Sequence, residues 1–362
     1  MPLGRSGHAV SAAVRRPTIS DVARQAGVSV STVSRVLRDD RYIRASTSAS
    51  VRSAIEELGY RPSAVARSLR TRATGTIGLI VPDLKDPFFP ELVDGADAAA
   101  RDLGYSIILG ASASEESRTL HYLRLMVDHR VDGLVIAAAE LPAASRQWLA
   151  GIPVPVVAVN AEAGDFAETS ITSDNEGGAR LAAEHLIGLG HRHLGYLRGP
   201  LGLSAAAARH RGFMAACEAA GIALGSVAVA VPELSMAGGA RAAAALLAEH
   251  PEITGIASYS DPLAIGALHG VLAAGRNVPG DVSIVGLDDV TTAAWVTPGL
   301  TTVAQQKGEM GRLAVEYVDA MLKSPGGRHE VRHLRLPMSL VLRRSTCPPS
   351  PEAGGPAGDS RT

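Results

Sequence analysis

The side chains best suited to chemistry in this sequence lie between residues 30 and 35. Arg35 can donate two hydrogen bonds to the edge of a guanine, and Val30 can contact a thymine methyl group. Ser31 and Ser34 carry short hydroxyls that bond less selectively. On one face of a short helix, these four side chains would read bases in DNA. The alternative for Arg35 is a phosphate contact, which carries no sequence information.

Two short helices around a glycine turn are predicted to position this face. Thr18 can cap a first helix that begins near Ile19, with Asp21 three residues later as in a capping box. The apolar residues of this helix form one narrow stripe, because they recur at spacings of three and four. Gly27 supplies a turn that can adopt positive φ, and Ser29 can cap the second helix. The stripe consists of Ile19, Val22, Ala23 and Ala26.

A second and a third helix complete the predicted bundle. The second covers about residues 30–37, and its inward face is predicted to consist of Val33, Val36 and Leu37. The third shows apolar residues at i, i+4 and i+7, with Ser and Thr upstream for capping and Gly59 as its stop. Its apolar residues are Val51, Ile55 and Leu58. A helical bundle with no role at DNA is the alternative to a DNA-binding head.

Charge divides the sequence into a basic head and an acidic body. Residues 1–74 hold 13 Arg and no Lys against 5 acidic residues, a net charge of +8. The rest holds 22 basic and 31 acidic residues, a net charge of −9, and the whole chain carries −1. This asymmetry is expected when only the head meets phosphates. The candidates for phosphate contacts are Arg24, Arg38, Arg52 and Arg61.

Residues 18–37 resemble the DNA-binding signature of the lactose-repressor (LacI/GalR) family of bacterial transcription regulators. Residues 58–69 are similar to the hinge segment of the family, and residues 76–83 to the first strand of its ligand-binding core. The resemblance covers roughly residues 17–345. Later family blocks follow in the same order at residues 190–196, 209–213, 285–289 and 300–303.

The resemblance implies how DNA is read. The family reads bases mainly with residues that correspond here to Val30, Ser31 and Arg35. The hinge residues expected at DNA are Ser63, Ala64 and Leu69. Leu69 lies where the family inserts a leucine into the minor groove, and such wedges kink the duplex. The alternative is an ordinary linker, with Leu69 packed on the core.

Beyond residue 75, β-rich apolar runs alternate with alanine-rich helical stretches, which predicts parallel sheets covered on both faces. About 270 residues are too many for one such core. Two doubly wound lobes are the natural solution, and the resemblance implies two, related to periplasmic binding proteins. The expected fold class is an α/β core of two doubly wound lobes behind an all-α helix-turn-helix head. Strands are predicted at 76–81, 105–109, 133–137, 154–159, 193–198, 255–259 and 282–287. Helices are predicted near 88–103, 115–129, 176–189, 204–220, 238–249, 261–274 and 308–323.

The resemblance also implies a ligand pocket between the lobes. The matching residues are Asp83, Phe88, Phe89, Asn160, Asp174, Arg211, Ser260, Asp288 and Gln305. Carboxylates and an arginine can bind vicinal hydroxyls, and a phenylalanine can offer a flat wall to a sugar ring. A sugar is therefore the expected effector, with a purine or nucleoside as the alternative. Asp83 and Asp174 could instead be helix or turn caps, and the two phenylalanines could cover a helix start.

Other classes of function find little support in the sequence. It lacks the glycine-rich nucleotide loops and the serine or zinc hydrolase motifs, so no enzyme activity, catalytic residue, cofactor or metal is expected. His185, His191 and His193 fit no common metal spacing. A periplasmic solute-binding protein has two such lobes, but the basic head and the absence of a signal peptide argue against it. No apolar run approaches a membrane span, so a cytoplasmic, nucleoid-associated protein is expected.

These inferences predict a transcriptional repressor that binds a pseudo-palindromic operator in double-stranded DNA as a homodimer, with a tetramer as the alternative. Lobe one is predicted at 75–173 plus 306–334, and lobe two at 174–305 plus 335–346. The predicted domains are a disordered extension (1–16), a helix-turn-helix domain (17–61), a hinge helix and linker (62–74), a two-lobed ligand-binding and dimerisation domain (75–346) and a disordered tail (347–362).

Overall fold

The computed structural model describes most of the chain, in two units that are taken in turn, Met1–Thr74 and Gly75–Thr362. The predicted N-terminal extension and the hinge residues Ser63, Ala64 and Leu69 lie outside the described residues, as do residues 351–362 of the predicted tail. The described residues are 17–37, 40, 42–60, 73–113, 115–138, 141–161, 166–167, 169–324 and 332–350.

The described part of the N-terminal unit contains α1 (Ile19–Gln25), α2 (Val30–Val36) and α3 (Ala45–Leu58). The predicted capping box is confirmed, because Thr18 and Asp21 cap each other's backbone N–H groups. Ser29 caps α2, and Gly27 takes the turn between the two helices with φ +65°. α3 ends at Gly59 in the left-handed conformation, as predicted.

One valine from each helix forms the centre of the small core of the N-terminal unit, since Val22, Val33 and Val51 are fully buried. Each such side chain stabilises the bundle by about 1.5–3 kcal/mol through burial. The inward position of Leu37 was wrong, because α2 ends at Val36 and Leu37 is 37% exposed. The predicted Ser/Thr cap of α3 was also wrong. Arg44 occupies that position without a capping side chain, and the hydroxyl residues lie inside the helix.

The second unit contains two six-stranded sheets. Sheet one has the strand order β11-β5-β4-β3-β1-β2 and is parallel throughout. Sheet two has the order β12-β10-β9-β8-β6-β7, and only β12 runs antiparallel. The first six strands are β1 (Thr76–Val81), β2 (Ser106–Ala111), β3 (Gly133–Ala137), β4 (Val156–Val159), β5 (Thr169–Ser173) and β6 (Leu194–Leu197). The others are β7 (Ala228–Ala230), β8 (Gly255–Ser258), β9 (Ser283–Asp288), β10 (Thr301–Ala304), β11 (Arg332–Leu336) and β12 (Ser339–Val341).

Helices cover both sheets, which makes each sheet with its helices one lobe, as predicted. Lobe one carries α4 (Phe88–Leu103), α5 (Glu116–Asp128), α6 (Ala143–Leu149) and α11 (Lys307–Lys323). Lobe two carries α7 (Asn175–Gly188), α8 (Ser204–Ala219), α9 (Met236–Glu249) and α10 (Asp261–Ala273), with short 3-10 turns at Leu224–Ser226 and Thr291–Ala294. No helix within the described ranges is both long and apolar enough to cross a membrane.

The chain passes between the lobes three times, after β5, β10 and β11. The third crossing lies two residues later than predicted, because Arg335 and Leu336 still pair with β5 in sheet one. The predicted disordered tail also began too early. The Cys347 backbone N–H donates to Ser283 Oγ at 3.0 Å, and its carbonyl accepts from His191 Nε2 at 2.9 Å. These contacts attach Cys347 to lobe two.

Candidate functional site

The predicted DNA-reading face lies on α2. Val30 is 43% exposed, Ser31 and Arg35 are exposed, and Ser34 is half-buried. An exposed valine at the first position of a helix contributes nothing to a core, so this face is available to a partner. The hydroxyls of Ser29 and Ser31 lie 2.7 Å apart, which places the Ser31 side chain beside the capped start of the helix.

Arg35 is held by one contact on this face. Its Nε donates to Asp40 Oδ2 at 2.9 Å, and both side chains keep access to solvent. An exposed ion pair of this kind contributes about 1 kcal/mol or less to stability. The contact with Asp40 therefore orients the guanidinium but is weak enough to be exchanged for a contact with a partner. The arrangement suits an arginine that presents its outer N–H groups to a base edge.

In the second unit, a cavity of about 330 Å³ opens at the carboxyl ends of β4 and β5. The starts of α7 and α8 and one side chain of β11 complete its wall, so both lobes contribute. Ligands of open parallel sheets bind at this end of the strands. The lining residues are Asn160, Ala161, Thr172, Ser173, Asp174, Asn175, Glu176, Ser204, Ala205, Ala207, Ala208, Arg211 and Arg335.

A buried arginine lies directly behind this wall. Arg209 is 3% exposed, and its Nε donates to Oδ1 of Asn175 at 2.7 Å. Its Nη1 donates to the carbonyl of Tyr259 at 2.5 Å and lies 3.6 Å from Asp288 Oδ1. The guanidinium also stacks 4.5 Å from the centre of the Tyr259 ring. Because Asn175 lines the cavity, a ligand there would touch the same network that neutralises Arg209.

The network continues from lobe two into lobe one. Gln305 Nε2 donates to Asp288 Oδ1 at 2.5 Å, and Gln305 Oε1 accepts from Ser173 Oγ at 2.6 Å. Ser173 ends β5 of lobe one and also lines the cavity, whereas Asp288 ends β9 of lobe two. A chain of side-chain hydrogen bonds therefore connects the cavity with both lobes.

Burial dominates the electrostatics of the two carboxyls in lobe two. It raises the pKa of Asp288 to about 7, although the nearby Arg209 opposes the shift. It raises the pKa of Asp261 to about 6, against hydrogen bonds from Thr302 Oγ1 at 2.5 Å and the Val290 N–H at 2.8 Å. Asp261 is thus a structural group that fixes a loop, while Asp288 stands in the network behind the cavity.

A second set of contacts joins the lobes beside Asp288. Buried Lys307, at the start of α11, donates from Nζ to the carbonyls of Asp288 at 2.6 Å and Asp289 at 2.8 Å. Both aspartates have positive φ, 125° and 53°, so the lysine stabilises a strained stretch of backbone. Glu91 of α4 lies 3.3 Å from Lys307 Nζ and accepts from the Thr291 N–H and hydroxyl at 3.2 and 3.1 Å.

Comparison with known proteins agrees with both units. The model of bacterial regulatory proteins of the lacI family matches residues 18–63, and that of a periplasmic binding protein-like domain matches residues 183–346. The transcriptional repressor PurR of Erwinia tasmaniensis is 35% identical over 347 residues, covering 95% of this chain and 99% of that protein. The ribose operon repressor of Halalkalibacterium halodurans is 34% identical over 333 residues, covering 91% and 97%. A solved Lac repressor dimer bound to operator and the anti-inducer ONPF matches with a TM-score of 0.81 and 28% identity, over 92% of this chain and 100% of that one.

The chain belongs to the lacI family of bacterial regulatory proteins. It is accordingly a DNA-binding transcriptional regulator, and the curated relatives are repressors rather than enzymes. Within the described ranges, no three His, Cys, Asp or Glu side chains are grouped in a way that could hold a metal ion.

The nine pocket residues predicted for this lacI-family chain separate into three groups. Asn160, Asp174 and Arg211 line the cavity, and Asp288 and Gln305 belong to the network behind it. The other four are not among the residues that line the cavity. Asp83 accepts from the Lys85 N–H at 2.9 Å as a turn cap, and Ser260 is the first residue before α10.

The two phenylalanines are not among the residues that line this cavity. Phe88 and Phe89 are 3% and 7% exposed and pack edge-to-face, 5.1 Å apart, in the core of lobe one. Both phenylalanines lie at the start of α4, which agrees with their alternative role of covering a helix start. Asp174 does both of the things considered for it, because Oδ1 caps α7 at 3.2 Å from the Gly177 N–H while the residue lines the cavity.

The sequence analysis predicted Arg211 as a ligand-binding residue and did not name Arg209. Arg211 is 62% exposed on its side chain and pairs with Glu176 at 3.2 Å at the edge of the cavity. Arg209 carries the buried charge. A signal existed in the sequence, because Arg209, Gly212, Phe213 and Ala216 recur at i, i+3, i+4 and i+7 along the buried face of α8. An arginine on an apolar stripe predicts a buried partner of opposite charge.

Proposed function

We propose that this chain is a transcriptional repressor that binds a pseudo-palindromic operator as a homodimer and responds to a polyhydroxylated small molecule in the cleft between its lobes. The observation that carries the effector-binding part is the network from Arg209 through Asp288 and Gln305 to Ser173. A buried charge beside an open cavity is costly for stability, and such charges are typical of functional sites.

DNA binding by a dimer is supported by the head and by the relatives. The exposed face of α2 carries Arg35 beside a capped helix start, and a Lac repressor of the same fold is a dimer on its operator. Large exposed apolar side chains of lobe two, above all Trp295 at 83% exposure, favour the pairing of two copies. Two heads would then meet two half-sites of one operator.

The cavity favours a polyol over a planar base. Its described lining consists of polar and small side chains without an aromatic ring on which a purine could stack. Hydroxyl-rich ligands bind through such amide, carboxylate and hydroxyl groups. The relatives themselves include a purine-named repressor and a ribose operon repressor, so both ligand classes belong in the test.

The DNA part is tested by selecting duplexes from a random library with the full chain and measuring affinity by fluorescence anisotropy at 150 mM salt. We expect Arg35→Ala to lose at least tenfold in affinity for the selected duplex while its affinity for random DNA stays close to that of the parent chain. Arg24→Ala is the comparison variant, because Arg24 is an exposed arginine of α1 and a candidate phosphate contact, so its loss should weaken selected and random duplexes alike. An affinity loss in Arg35→Ala that is equal on selected and random duplexes would contradict base reading by Arg35.

The effector part is tested by thermal unfolding of the full chain with sugars, sugar phosphates, sugar acids, purines and nucleosides. Ligand at about 100 times its dissociation constant stabilises a protein by about 2.7 kcal/mol. We expect a polyol to stabilise the parent chain and to lose its effect in Asp288→Asn. A purine that stabilises the chain while every polyol fails would contradict the proposed ligand class.

A further inference from the structure

A carboxylate lies beside the candidate base-reading arginine of the N-terminal unit. Asp40 follows α2, and its Oδ2 accepts from Nε of Arg35 at 2.9 Å. Affinity for DNA comes largely from positive side chains that neutralise phosphates. A negative side chain next to Arg35 therefore weakens the general attraction to DNA, and its benefit must lie elsewhere in recognition.

Two hydrogen bonds to the backbone fix the position of this carboxylate. The N–H of Asp40 donates to the carbonyl of Arg35 at 3.2 Å, which attaches Asp40 to the last turn of α2. Asp40 Oδ1 accepts from the N–H of Tyr42 at 3.0 Å, as in an Asx turn. The other carboxylate oxygen is thereby held toward Arg35, and the Asp40 side chain is only 26% exposed. The acceptor that Arg35 meets is thus held in place by its own backbone.

The contact uses one edge of the guanidinium. Nε of Arg35 donates to Asp40, whereas Nη1 and Nη2 make no hydrogen bond to a residue that the structure describes. These two nitrogens form a planar fork at the tip of the side chain, which can donate to O6 and N7 of one guanine. An arginine held through Nε can therefore read a guanine and keep its contact with Asp40.

A phosphate at the same fork is a worse partner than a guanine. It carries a full negative charge, and at this fork it has to approach the carboxylate of Asp40, which repels it. The edge of a guanine carries only partial charges, so the repulsion is smaller. The position of Asp40 therefore favours a base over the DNA backbone as the partner of Arg35.

We propose that Asp40 is a positioning residue that makes Arg35 selective for guanine over phosphate. This inference rests on the proposed function, because it takes Arg35 to read a base. On random DNA the charge of Arg35 stays matched by Asp40, so the arginine adds little affinity. At the operator Nη1 and Nη2 donate to a guanine while Nε stays on Asp40. Asp40 thus lowers the affinity for random DNA and raises the ratio of operator binding to random binding.

Removing the charge of Asp40 while keeping its shape tests this role. Asp40→Asn retains an oxygen that can accept from the Tyr42 N–H. The affinity of the full chain for its selected duplex and for random duplexes is measured by fluorescence anisotropy. We expect random DNA to bind about two- to fivefold more tightly, as the loss of an exposed ion pair predicts, with no gain on the selected duplex. Asp40→Ser keeps a hydroxyl acceptor for the same N–H and should behave alike.

Glu56→Gln is the matched control. Glu56 is an exposed acid on α3 of the same unit, and its side chain makes no hydrogen bond or ion pair within the described ranges. Its replacement removes the same charge without touching Arg35, so the affinities for selected and random duplexes should change by the same factor. An unchanged ratio of the two affinities in both Asp40 variants, or an equal fall of that ratio in Glu56→Gln, would overturn the proposal.

A double-mutant cycle separates the failure of this inference from the failure of the proposed function. Arg35→Ala should leave the affinity for random DNA nearly unchanged in the parent chain but lower it twofold or more in Asp40→Asn. The slope of log affinity against log salt on random DNA should steepen by up to about one in Asp40→Asn and return in the double variant. Additive effects would reject the role of Asp40 and leave base reading by Arg35 intact. Failure of the parent chain to select any duplex would reject the proposed function and this inference with it.

Discussion

The two lobes share one layout but contribute differently to the cleft. Lobe two holds its buried charges with partners of its own, since Arg209 meets Asp288, and Asp261 meets Thr302 and the Val290 N–H. Lobe one contributes hydrogen-bond donors to residues of lobe two, namely the hydroxyl of Ser173 and the ammonium of Lys307.

This difference between the lobes indicates which half of the cleft is preorganised. Both partners of the ion pair in lobe two belong to that lobe, so we expect the pair to persist when the lobes separate. The contacts of Ser173, Lys307 and Glu91 exist only when the lobes are close. We therefore expect lobe two to be the preorganised part of the cleft and lobe one to be the part whose position a ligand can change. The predictions below separate these roles.

The largest effect is expected from Arg209→Met in lobe two. The change leaves Asp288 buried without its positive partner, which costs about 3–5 kcal/mol of unfolding free energy. Urea unfolding followed by circular dichroism measures the loss. Arg211→Met is the control, because this exposed arginine lies two residues away on the same helix and should change stability by less than about 1 kcal/mol. Similar losses in both variants would contradict a preorganised lobe two.

The pH dependence of stability should come from the same lobe. The folded-state pKa of Asp288, about 7, lies above the ordinary value of 3.8, so the folded chain keeps a proton that the unfolded chain releases. The unfolding free energy should therefore fall as pH rises from about 4 to about 7, by at most about 4 kcal/mol from this group. Urea unfolding across this range checks the slope. Asp288→Asn should reduce the slope without abolishing it, because buried Asp261, with a pKa of about 6, contributes a slope of the same sign. An unchanged slope would show that Asp288 does not contribute to the pH dependence.

Lys307→Met should remove a hydrogen-bonded contact between the two lobes, with a smaller loss of unfolding free energy than Arg209→Met. Methionine fills the same volume but leaves the carbonyls of Asp288 and Asp289 without their donor, which costs about 2–3 kcal/mol. Small-angle X-ray scattering should detect a wider angle between the lobes. Lys323→Met, at the exposed end of the same helix, should leave both properties unchanged. A Lys307 variant with the parent's stability and scattering profile would show that the contact does not hold the lobes.

The smallest loss is expected from Ser173→Ala, which removes the one hydroxyl that lobe one donates to Gln305. We expect about 1 kcal/mol of stability to be lost and effector binding to weaken several-fold. Ser170 lies on the same strand as Ser173, and its Oγ lies 2.9 Å from Nδ1 of His333. Ser170→Ala therefore removes a comparable contact and should leave effector binding unchanged. Equal effector affinity in both variants would show that Ser173 does not couple the cavity to the network of Arg209, Asp288 and Gln305.

Local signals made most of the N-terminal head predictable from the sequence. Thr18, Asp21, Gly27, Ser29 and Gly59 each act within a few residues of their own position, so the caps and turns follow from spacing alone. Most helices and the apolar strands of the lobes were predictable for the same reason, but the short helix α6 was not predicted. The strands that were missed are short or polar, namely β5, β7, β10, β11 and β12, and only pairing with neighbours defines them.

The cleft was less predictable because its contacts join distant parts of the chain. Arg209 gains its role from Asp288 and Asn175, and Gln305 from Ser173, more than 100 residues away. No local pattern distinguishes Arg209 as the buried arginine from Arg211 as the exposed one until the faces of α8 are assigned. The role of the phenylalanines could not be decided from the sequence for a similar reason, since apolar rings serve a core and a pocket wall equally well.

The discontinuity of lobe one has a consequence for the order in which the protein is made. α11 packs on α4 so closely that a Cβ on Gly95 would lie 2.1 Å from the Gly308 carbonyl oxygen. The ribosome completes α4 long before it reaches α11, and at about 5–20 residues per second the interval is roughly 10–40 s. Throughout that time the face of α4 that carries Leu92 and Ala96 lacks its partner helix, while nearly all of lobe two is synthesised. We therefore expect the nascent chain to expose apolar surface of lobe one, which is the part that a chaperone would bind.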